Sequence, residues 1–145
     1  MGHTKHKQRI LFLCTGNSCR SQMAEGIARY FHEEEFEIES AGIEKHGMNP
    51  YAMQVMSEAG MDISRQSSKT LDEVGTDFDT VITVCDHAHD NCPQFPGKTS
   101  ICHHPFADPP KLALEAQTEE QKLECYRQVR NEIHHAMDNI LKKIS

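Results

Sequence analysis

The sequence contains no long apolar run and no recognisable leader segment. Hydrophobic residues make up 37% of the chain, and no apolar stretch is long enough to cross a bilayer, so we expect no membrane span. The basic residues Lys5, Lys7 and Arg9 precede an apolar stretch that is too short for the core of a secretory signal, and no cleavage pattern follows it. We therefore expect a cytoplasmic protein.

The sequence also lacks an excess of basic residues. The formal net charge of -7 argues against a general nucleic-acid-binding surface, so no nucleic-acid partner is expected. This charge does not argue against an anionic substrate, because a local arrangement of backbone N–H groups can bind an anion on an acidic protein.

The length and the cysteine content limit the organisation of the chain. Its 145 residues fit one domain, residues 1–145, in which we expect residues 1–8 to form a flexible extension. Six cysteines without a secretion signal favour catalytic, redox or metal-binding roles over a disulfide framework. Because no exposed apolar stripe is evident, we expect a monomer.

Apolar runs alternate with helical patterns along the chain. Strands are predicted at residues 9–14, 36–40, 80–84 and 99–102, and helices at 20–32, 50–59, 71–74 and from Thr118 onward. This alternation predicts an α/β fold: a single-domain, four-stranded parallel sheet flanked by helices on both faces. Functional loops of such sheets lie at the carboxyl ends of the strands, so Cys14, Cys85 and Asp108 are expected to meet at one edge.

The segment from Cys14 to Ser21 has the pattern of an oxyanion-binding loop. It joins a predicted strand to a predicted helix, so its backbone N–H groups and the helix N-terminus attract an anion. Arg20 offers a planar fork for two oxyanion oxygens, and the same field is expected to lower the pKa of Cys14 and make it a nucleophile. The predicted oxyanion-binding residues are Thr15, Gly16, Asn17, Ser18, Cys19, Arg20 and Ser21. The alternative, a buried structural thiol at Cys14, leaves the other loop residues unexplained.

A second cysteine pair follows the third predicted strand. Six residues separate Cys85 from Cys92. In a regular helix the two would stand about 10 Å apart, too far for a disulfide, so bonding them requires the segment to bend or unwind. Three interpretations of the pair remain open. The two residues could be unrelated buried thiols, or they could form a redox relay with Cys14. They could also bind a metal together with His87 and His89, although this spacing matches no common zinc template. We expect Cys102 and Cys125, outside this pattern, to be small core residues.

These motifs together resemble a known family. The relevant segments are residues 14–26 (CTGNSCRSQMAEG), 39–43 (ESAGI), 60–64 (GMDIS), 84–93 (VCDHAHDNCP) and 106–109 (FADP). They resemble the thioredoxin-coupled arsenate reductases, which share the fold of the low-molecular-weight protein tyrosine phosphatases. Three features favour the reductases: the Cys85/Cys92 pair, Gln22 where the phosphatases usually carry Pro, and Pro110-Lys111 where they carry tyrosines.

The resemblance implies a mechanism of arsenic detoxification. Cys14 would attack arsenate, with phosphate or sulfate as mimics, while Arg20 and the loop hold the oxyanion and Asp108 donates a proton to the leaving oxygen. Cys85 would then form a disulfide with Cys14, and Cys92 would convert it to a Cys85–Cys92 disulfide that thioredoxin reduces. Ser21 is expected to donate a hydrogen bond to the Cys14 thiolate.

The resemblance requires no cofactor, but some relatives hold a structural potassium ion behind the loop. The residues matched to its ligands are Asn17, Glu25, Ser40 and Asp62, and the alternative is a polar network that braces the loop. Two other functions stay open at this point. One is a low-molecular-weight protein tyrosine phosphatase, and the other is a redox or metal sensor without catalysis.

Overall fold

The computed structural model describes residues 7–95 and 97–144, which carry one four-stranded sheet. Its strands are β1 (Gln8–Cys14), β2 (Phe36–Gly42), β3 (Thr80–Thr83) and β4 (Ser100–His103). The paired strands run parallel, in the spatial order β2-β1-β3-β4. The predicted fold class is therefore confirmed.

The strand order places a crevice at the carboxyl end of β1. From β1 the chain crosses to β2 on one side of the sheet, whereas β3 and β4 are added on the other side. Loops that leave neighbouring strands in opposite directions open a crevice at such a switch point, where ligands of α/β sheets bind. The segment that follows Cys14 lies at this crevice.

Six helices and a short 3-10 helix connect the strands. Their bounds are α1 (Arg20–His32), α2 (Pro50–Glu58), α3 (Leu71–Val74), α4 (Asp86–Asp90), α5 (Pro109–Leu112), the 3-10 helix (Ala113–Glu115) and α6 (Glu119–Lys142). Side-chain caps set the starts of α2 and α6, which with α1 are the three longest helices of the described residues. The Asn49 side chain accepts from two backbone N–H groups ahead of Pro50 at α2, and Thr118 accepts from Gln121 N at α6.

The hydrophobic core lies on both sides of the central strand. Ile10, Leu11, Phe12 and Leu13 of β1 are all fully buried, so both faces of the sheet are covered at its centre. Burial of each such side chain contributes about 1.5–3 kcal/mol to stability. Helix α6 buries a stripe at helical spacing that includes Val129, Ile133 and Met137, and it packs against α1, α2 and α5.

The structure differs from the sequence-based predictions at several places. Strand β2 continues to Gly42, and the short helices α4 and α5 were not predicted. Cys102 is exposed on β4 and not a core residue, and Cys125 is only partly buried. Of the predicted extension, residues 1–6 lie outside the described residues, whereas Gln8 is the first residue of β1. No helix in residues 7–95 and 97–144 is both long and apolar enough to cross a membrane.

Candidate active site

The loop between β1 and α1 is held from behind by the chain that leaves β2. The N–H groups of Ile43, Glu44 and His46 donate to the carbonyls of Cys14, Thr15 and Gly16 at 3.2, 2.8 and 2.9 Å. A Cβ at Gly16 would collide with the His46 ring, and a Cβ at Gly42 would collide with the backbone of Glu44 and of the loop. Glycine at both positions therefore permits the two segments to approach closely.

The loop surrounds a small polar cavity of about 280 Å³. Its lining is Cys14, Thr15, Gly16, Ser18, Cys19, Arg20, His46, Asp108 and Pro110. Of the predicted oxyanion-binding residues, Asn17 and Ser21 lie outside this lining and are fully buried behind the loop. A larger groove of about 760 Å³ lies between His104, Phe106 and α6, but no cysteine is among its described lining residues.

Arg20 and Asp108 meet at the mouth of this cavity, although they are distant in sequence. The segment after β4 returns beside β3, where Phe106 N donates to Val84 O at 3.0 Å. Arg20 Nη1 donates to Phe106 O at 3.1 Å, and Arg20 Nη2 lies 3.8 Å from Asp108 Oδ1. Cys14 and Asp108, two of the three residues expected to meet at this edge of the sheet, thus line the same cavity together with Arg20.

Cys85 lies directly against Cys14. Val84 N donates to Leu13 O at 2.9 Å, which aligns the two strand ends, and the Thr15 hydroxyl lies 3.3 Å from Cys85 Sγ. The pKa of Cys85 is lowered to about 5, because its thiolate accepts hydrogen bonds from the Cys14 thiol, the Thr15 hydroxyl and Ala88 N–H. Donation to Cys85, together with burial, raises the pKa of Cys14.

The hydrogen bond between the two thiols thus raises the pKa of Cys14 and lowers that of Cys85. The raised pKa of Cys14 differs from the expectation that the field of the loop lowers it. Arg20 and the Thr15 N–H do lower the pKa of Cys14, but the hydrogen bond to Cys85 and burial outweigh them. Burial likewise raises the pKa of Cys19, which packs beneath the loop.

Cys92 lies beyond the far end of helix α4. Cys85 is the N-cap residue of this helix, and Cys85 Sγ accepts from Ala88 N at 3.4 Å. Cys92 follows the C-cap residue Asn91, is partly buried, and has its pKa raised by burial. With five helical residues between them, Cys85 and Cys92 can approach each other only if α4 unwinds. Within the described residues, no group of three or more His, Cys, Asp or Glu side chains is arranged to hold a metal.

A buried polar network supports the loop from inside. Asn17 has a positive φ of 48°, and its Nδ2 donates to Ser21 Oγ and to Ser40 Oγ, both at 2.9 Å. Ser40 Oγ donates to Glu25 Oε1 at 2.5 Å. Ser21 therefore accepts from Asn17, and the predicted donation to Cys14 is not among the hydrogen bonds of the described residues.

Three of the four residues matched to potassium ligands are joined in the structure. Asn17, Ser40 and Glu25 are buried and linked by hydrogen bonds, whereas Asp62 is exposed and its carboxylate accepts from Ser64 N at 2.8 Å. The potassium site stays a prediction. The Lys69 ammonium lies beside Glu25, with 4.0 Å between Lys69 Nζ and Glu25 Oε1.

Two further loop contacts had no assigned role in the sequence analysis. Gln22 Nε2 donates to Asn17 O at 3.0 Å and to Asn17 Oδ1 at 2.9 Å, so this residue braces the loop. His46 lines the cavity, and its Nε2 lies 2.7 Å from Glu44 Oε2. The sequence signal for Gln22 was its place directly after the loop; His46 had no local signal beyond its proximity to Gly47.

The sequence of this chain matches a family model and the sequences of known proteins. A family model described as low molecular weight phosphotyrosine protein phosphatase matches residues 9–145. A protein named arsenate reductase from Halalkalibacterium halodurans is 48% identical over 129 residues, which are 88% of this chain and 91% of that protein.

Solved structures agree with this result. A structure titled "An arsenate reductase in oxidized state" has a TM-score of 0.78 at 30% identity and covers 95% of this chain and 99% of that one. Another, titled "An arsenate reductase in the phosphate binding state", has a TM-score of 0.75 at 31% identity with the same two coverages.

Proposed function

Because the chain belongs to the low molecular weight phosphotyrosine protein phosphatase family, we propose that it is a member that reduces arsenate to arsenite through Cys14, Cys85 and Cys92. The relatives named arsenate reductase support the substrate. The observation that carries the proposal is the contact between the Cys14 and Cys85 thiols, together with the lowered pKa of Cys85. A hydrolase needs one thiol in the loop, whereas a reductase needs a second thiol within reach of the first.

In the first step, Cys14 Sγ attacks arsenic while the loop N–H groups and Arg20 hold the oxyanion oxygens. The proton on Cys14 passes along the existing hydrogen bond to Cys85. Cys14 Sγ is then a thiolate, the form that attacks. Asp108, at the cavity mouth, gives a proton to the departing oxygen, which leaves as water. The product is a covalent Cys14–arsenic(V) adduct.

In the second step, Cys85 reduces the adduct. Cys85 loses its proton to solvent, and the Thr15 hydroxyl and Ala88 N–H, which also lower the pKa of Cys85, stabilise the resulting thiolate. Cys85 Sγ attacks Cys14 Sγ, a disulfide forms, and the sulfur–arsenic bond breaks. Its electron pair stays on arsenic, which is reduced from As(V) to As(III) and leaves as arsenite.

In the third step, Cys92 regenerates the loop. Cys92 loses its proton and attacks Cys85 Sγ, Cys14 leaves as a thiolate, and a Cys85–Cys92 disulfide remains. This step requires α4 to unwind, since the intact helix separates the two thiols. Unwinding also brings the disulfide out of the cavity, where a dithiol protein of the thioredoxin type can reduce it. No cofactor takes part in the chain's own chemistry.

Replacement of Cys92 by Ser tests the proposal. Cys92→Ser should limit arsenate reduction to one arsenite per enzyme and trap the Cys14–Cys85 disulfide, which mass spectrometry detects. Cys102→Ser, which removes an exposed thiol outside the relay, should leave turnover unchanged. Continued multiple turnover by Cys92→Ser would contradict the relay.

A phosphatase is the second candidate, supported by the family description and by Cys14, Arg20 and Asp108 around one cavity. Those three residues would hydrolyse a phosphoester without Cys85 or Cys92. Hydrolysis of para-nitrophenyl phosphate should therefore survive in Cys92→Ser. If the unmodified protein hydrolyses phosphotyrosine efficiently but reduces no arsenate, the second candidate replaces the first.

A further inference from the structure

Four residues behind the oxyanion loop, Asn17, Ser40, Glu25 and Lys69, form a ring of contacts. Asn17 Nδ2 donates to Ser40 Oγ at 2.9 Å, and Ser40 Oγ donates to Glu25 Oε1 at 2.5 Å. Lys69 Nζ lies 4.0 Å from the same carboxylate oxygen, and Lys69 N donates to Asn17 Oδ1 at 2.7 Å. Lys69 therefore contacts both ends of the network, through its ammonium and through its backbone.

Glu25 is a buried carboxylate that requires nearby positive charge. Its side chain is only 3% exposed, and a buried carboxylate without a partner is costly. Arg29 Nε donates to Glu25 Oε2 at 2.8 Å, so each of the two oxygens of Glu25 has a cationic side chain near it. Lys69 is itself largely covered, with 21% of its side chain exposed, and lies 3.5 Å from Glu39 Oε1.

The oxygens of this network do not fit an alkali cation. Asn17 Oδ1 already accepts from Lys69 N and from Gln22 Nε2, and its two lone pairs are thus used. Ser40 Oγ is engaged with Asn17 and Glu25. A positive charge from Lys69 is already present beside Glu25, so a potassium ion there would meet repulsion as well as too few free oxygens.

We propose that Lys69 is a positioning residue that acts as a built-in cation for the oxyanion loop. Its ammonium compensates the charge of Glu25, which holds Ser40 and, through it, the amide of Asn17. Its backbone N–H fixes the other end of the same amide. Together these contacts hold Asn17 at its positive φ and keep the loop open to an anion without any alkali metal.

This inference rests on the oxyanion-binding role of the loop in the proposed function, but not on arsenate reduction. Two consequences follow. The unmodified protein should be indifferent to potassium, because Lys69 supplies the charge. A variant with a carboxylate at position 69 should depend on potassium, because Glu25 and the new carboxylate would repel each other and offer oxygens to a cation.

The test compares the thermal midpoint and sulfate affinity, by calorimetry, in potassium chloride and in tetramethylammonium chloride at equal ionic strength. The unmodified protein should behave alike in both salts. In tetramethylammonium, Lys69→Asp should lower the midpoint by about 5 °C and weaken sulfate binding about tenfold. Potassium should restore both properties of Lys69→Asp, and Lys69→Arg should resemble the unmodified protein.

Two matched variants make the result decisive. Lys122→Met removes a lysine that pairs with Glu119 on α6, far along the chain from the loop, and should change neither property. If Lys69→Asp does not fold, Lys69→Met removes the charge without adding a carboxylate, and it should lower the midpoint and weaken sulfate binding in both salts. Stabilisation of the unmodified protein by potassium, a Lys69→Asp variant that is either unaffected or not restored by potassium, or an unaffected Lys69→Met variant would overturn the proposal. None of these measurements uses arsenate, so a failure of the reductase assignment would be seen separately.

Discussion

A single hydroxyl group, that of Thr15, connects the oxyanion loop to the second cysteine. It lies 3.3 Å from Cys85 Sγ and is one of three donors that lower the pKa of that thiol to about 5. A residue of the oxyanion loop therefore also prepares the nucleophile of the second step. The two steps of the proposed reaction are coupled through one side chain.

Thr15→Val should raise the pKa of Cys85 by about 1, since a hydrogen bond to a charged group contributes roughly 1.5 kcal/mol. Alkylation of Cys85 by iodoacetamide, followed by mass spectrometry across pH, reports this value, because only the thiolate reacts. In the unmodified protein the rate should rise as the pH passes through about 5 and then level off. Thr76→Val, at an exposed threonine, should keep that profile. An unchanged profile in Thr15→Val would show that the hydroxyl does not act on Cys85.

His46 is expected to contribute to oxyanion affinity. Its ring lines the cavity above Gly16, and the Glu44 carboxylate 2.7 Å from Nε2 fixes its orientation. His46→Ala should weaken phosphate binding about fivefold, the value of one hydrogen bond of about 1 kcal/mol. Isothermal titration with phosphate measures this, and His135→Ala on α6 is the control. Equal affinity in His46→Ala and the unmodified protein would remove His46 from the site.

The residues of the site were predictable to different degrees. Cys14 and Arg20 belong to one short motif, so their spacing alone indicated the loop. Lys69 was missed because it reaches Glu25 only through the fold, and no pattern in its neighbourhood signals a buried ammonium. Asp62 was chosen for its oxygen atoms, but its backbone position leaves the carboxylate in solvent, bonded to Ser64 N.

At the scale of elements, helix α4 is the part that must change conformation. Its five residues join Cys85 to the segment that carries Cys92. Two contacts fasten the helix to His103 of β4, and a third contact joins His103 to Thr83 of β3. His103 Nε2 lies 2.9 Å from Asp86 Oδ1, the rings of His89 and His103 stack with centroids 4.1 Å apart, and Thr83 Oγ1 lies 2.7 Å from His103 Nδ1. His103 is the residue common to all three.

His103→Ala should loosen α4 without disturbing the loop. We expect about tenfold faster hydrogen exchange at the α4 amides, equivalent to about 1.4 kcal/mol of local stability, and unchanged phosphate affinity. Exchange measured by mass spectrometry on the peptide that contains α4 gives the answer. His134→Ala, which removes a stacked histidine on α6, should leave α4 protected. Unaltered exchange in His103→Ala would mean that other contacts hold the helix.

The long elements followed from the sequence, whereas two of the short ones, α4 and α5, did not. Strand β1 and helices α1 and α6 have enough residues for their apolar periods to be evident. Helices α4 and α5 span five and four residues, too few for a helical period, and tertiary contacts such as those of His103 hold α4 in its helical form. The predicted need for bending between Cys85 and Cys92 remains a prediction, since the helix seen here is intact.

At the scale of the molecule, the parallel sheet explains why residues far apart in sequence meet at one edge. Cys14 ends β1, Cys85 follows β3, and Asp108 lies after β4, all at the carboxyl edge of neighbouring strands. The strand alternation was sufficient to predict this meeting. It was not sufficient to predict the raised pKa of Cys14 or the lowered pKa of Cys85, because both shifts depend on hydrogen bonds formed only in the folded protein.

The central claim is that electrons reach arsenate through the three cysteines from a thioredoxin-type dithiol. The most direct test follows arsenate-dependent NADPH consumption with thioredoxin and thioredoxin reductase, beside a parallel reaction with glutaredoxin and glutathione. We predict sustained turnover with thioredoxin and none with glutaredoxin. Absence of turnover with both, together with efficient phosphotyrosine hydrolysis, would contradict the reductase assignment and make the protein a phosphatase.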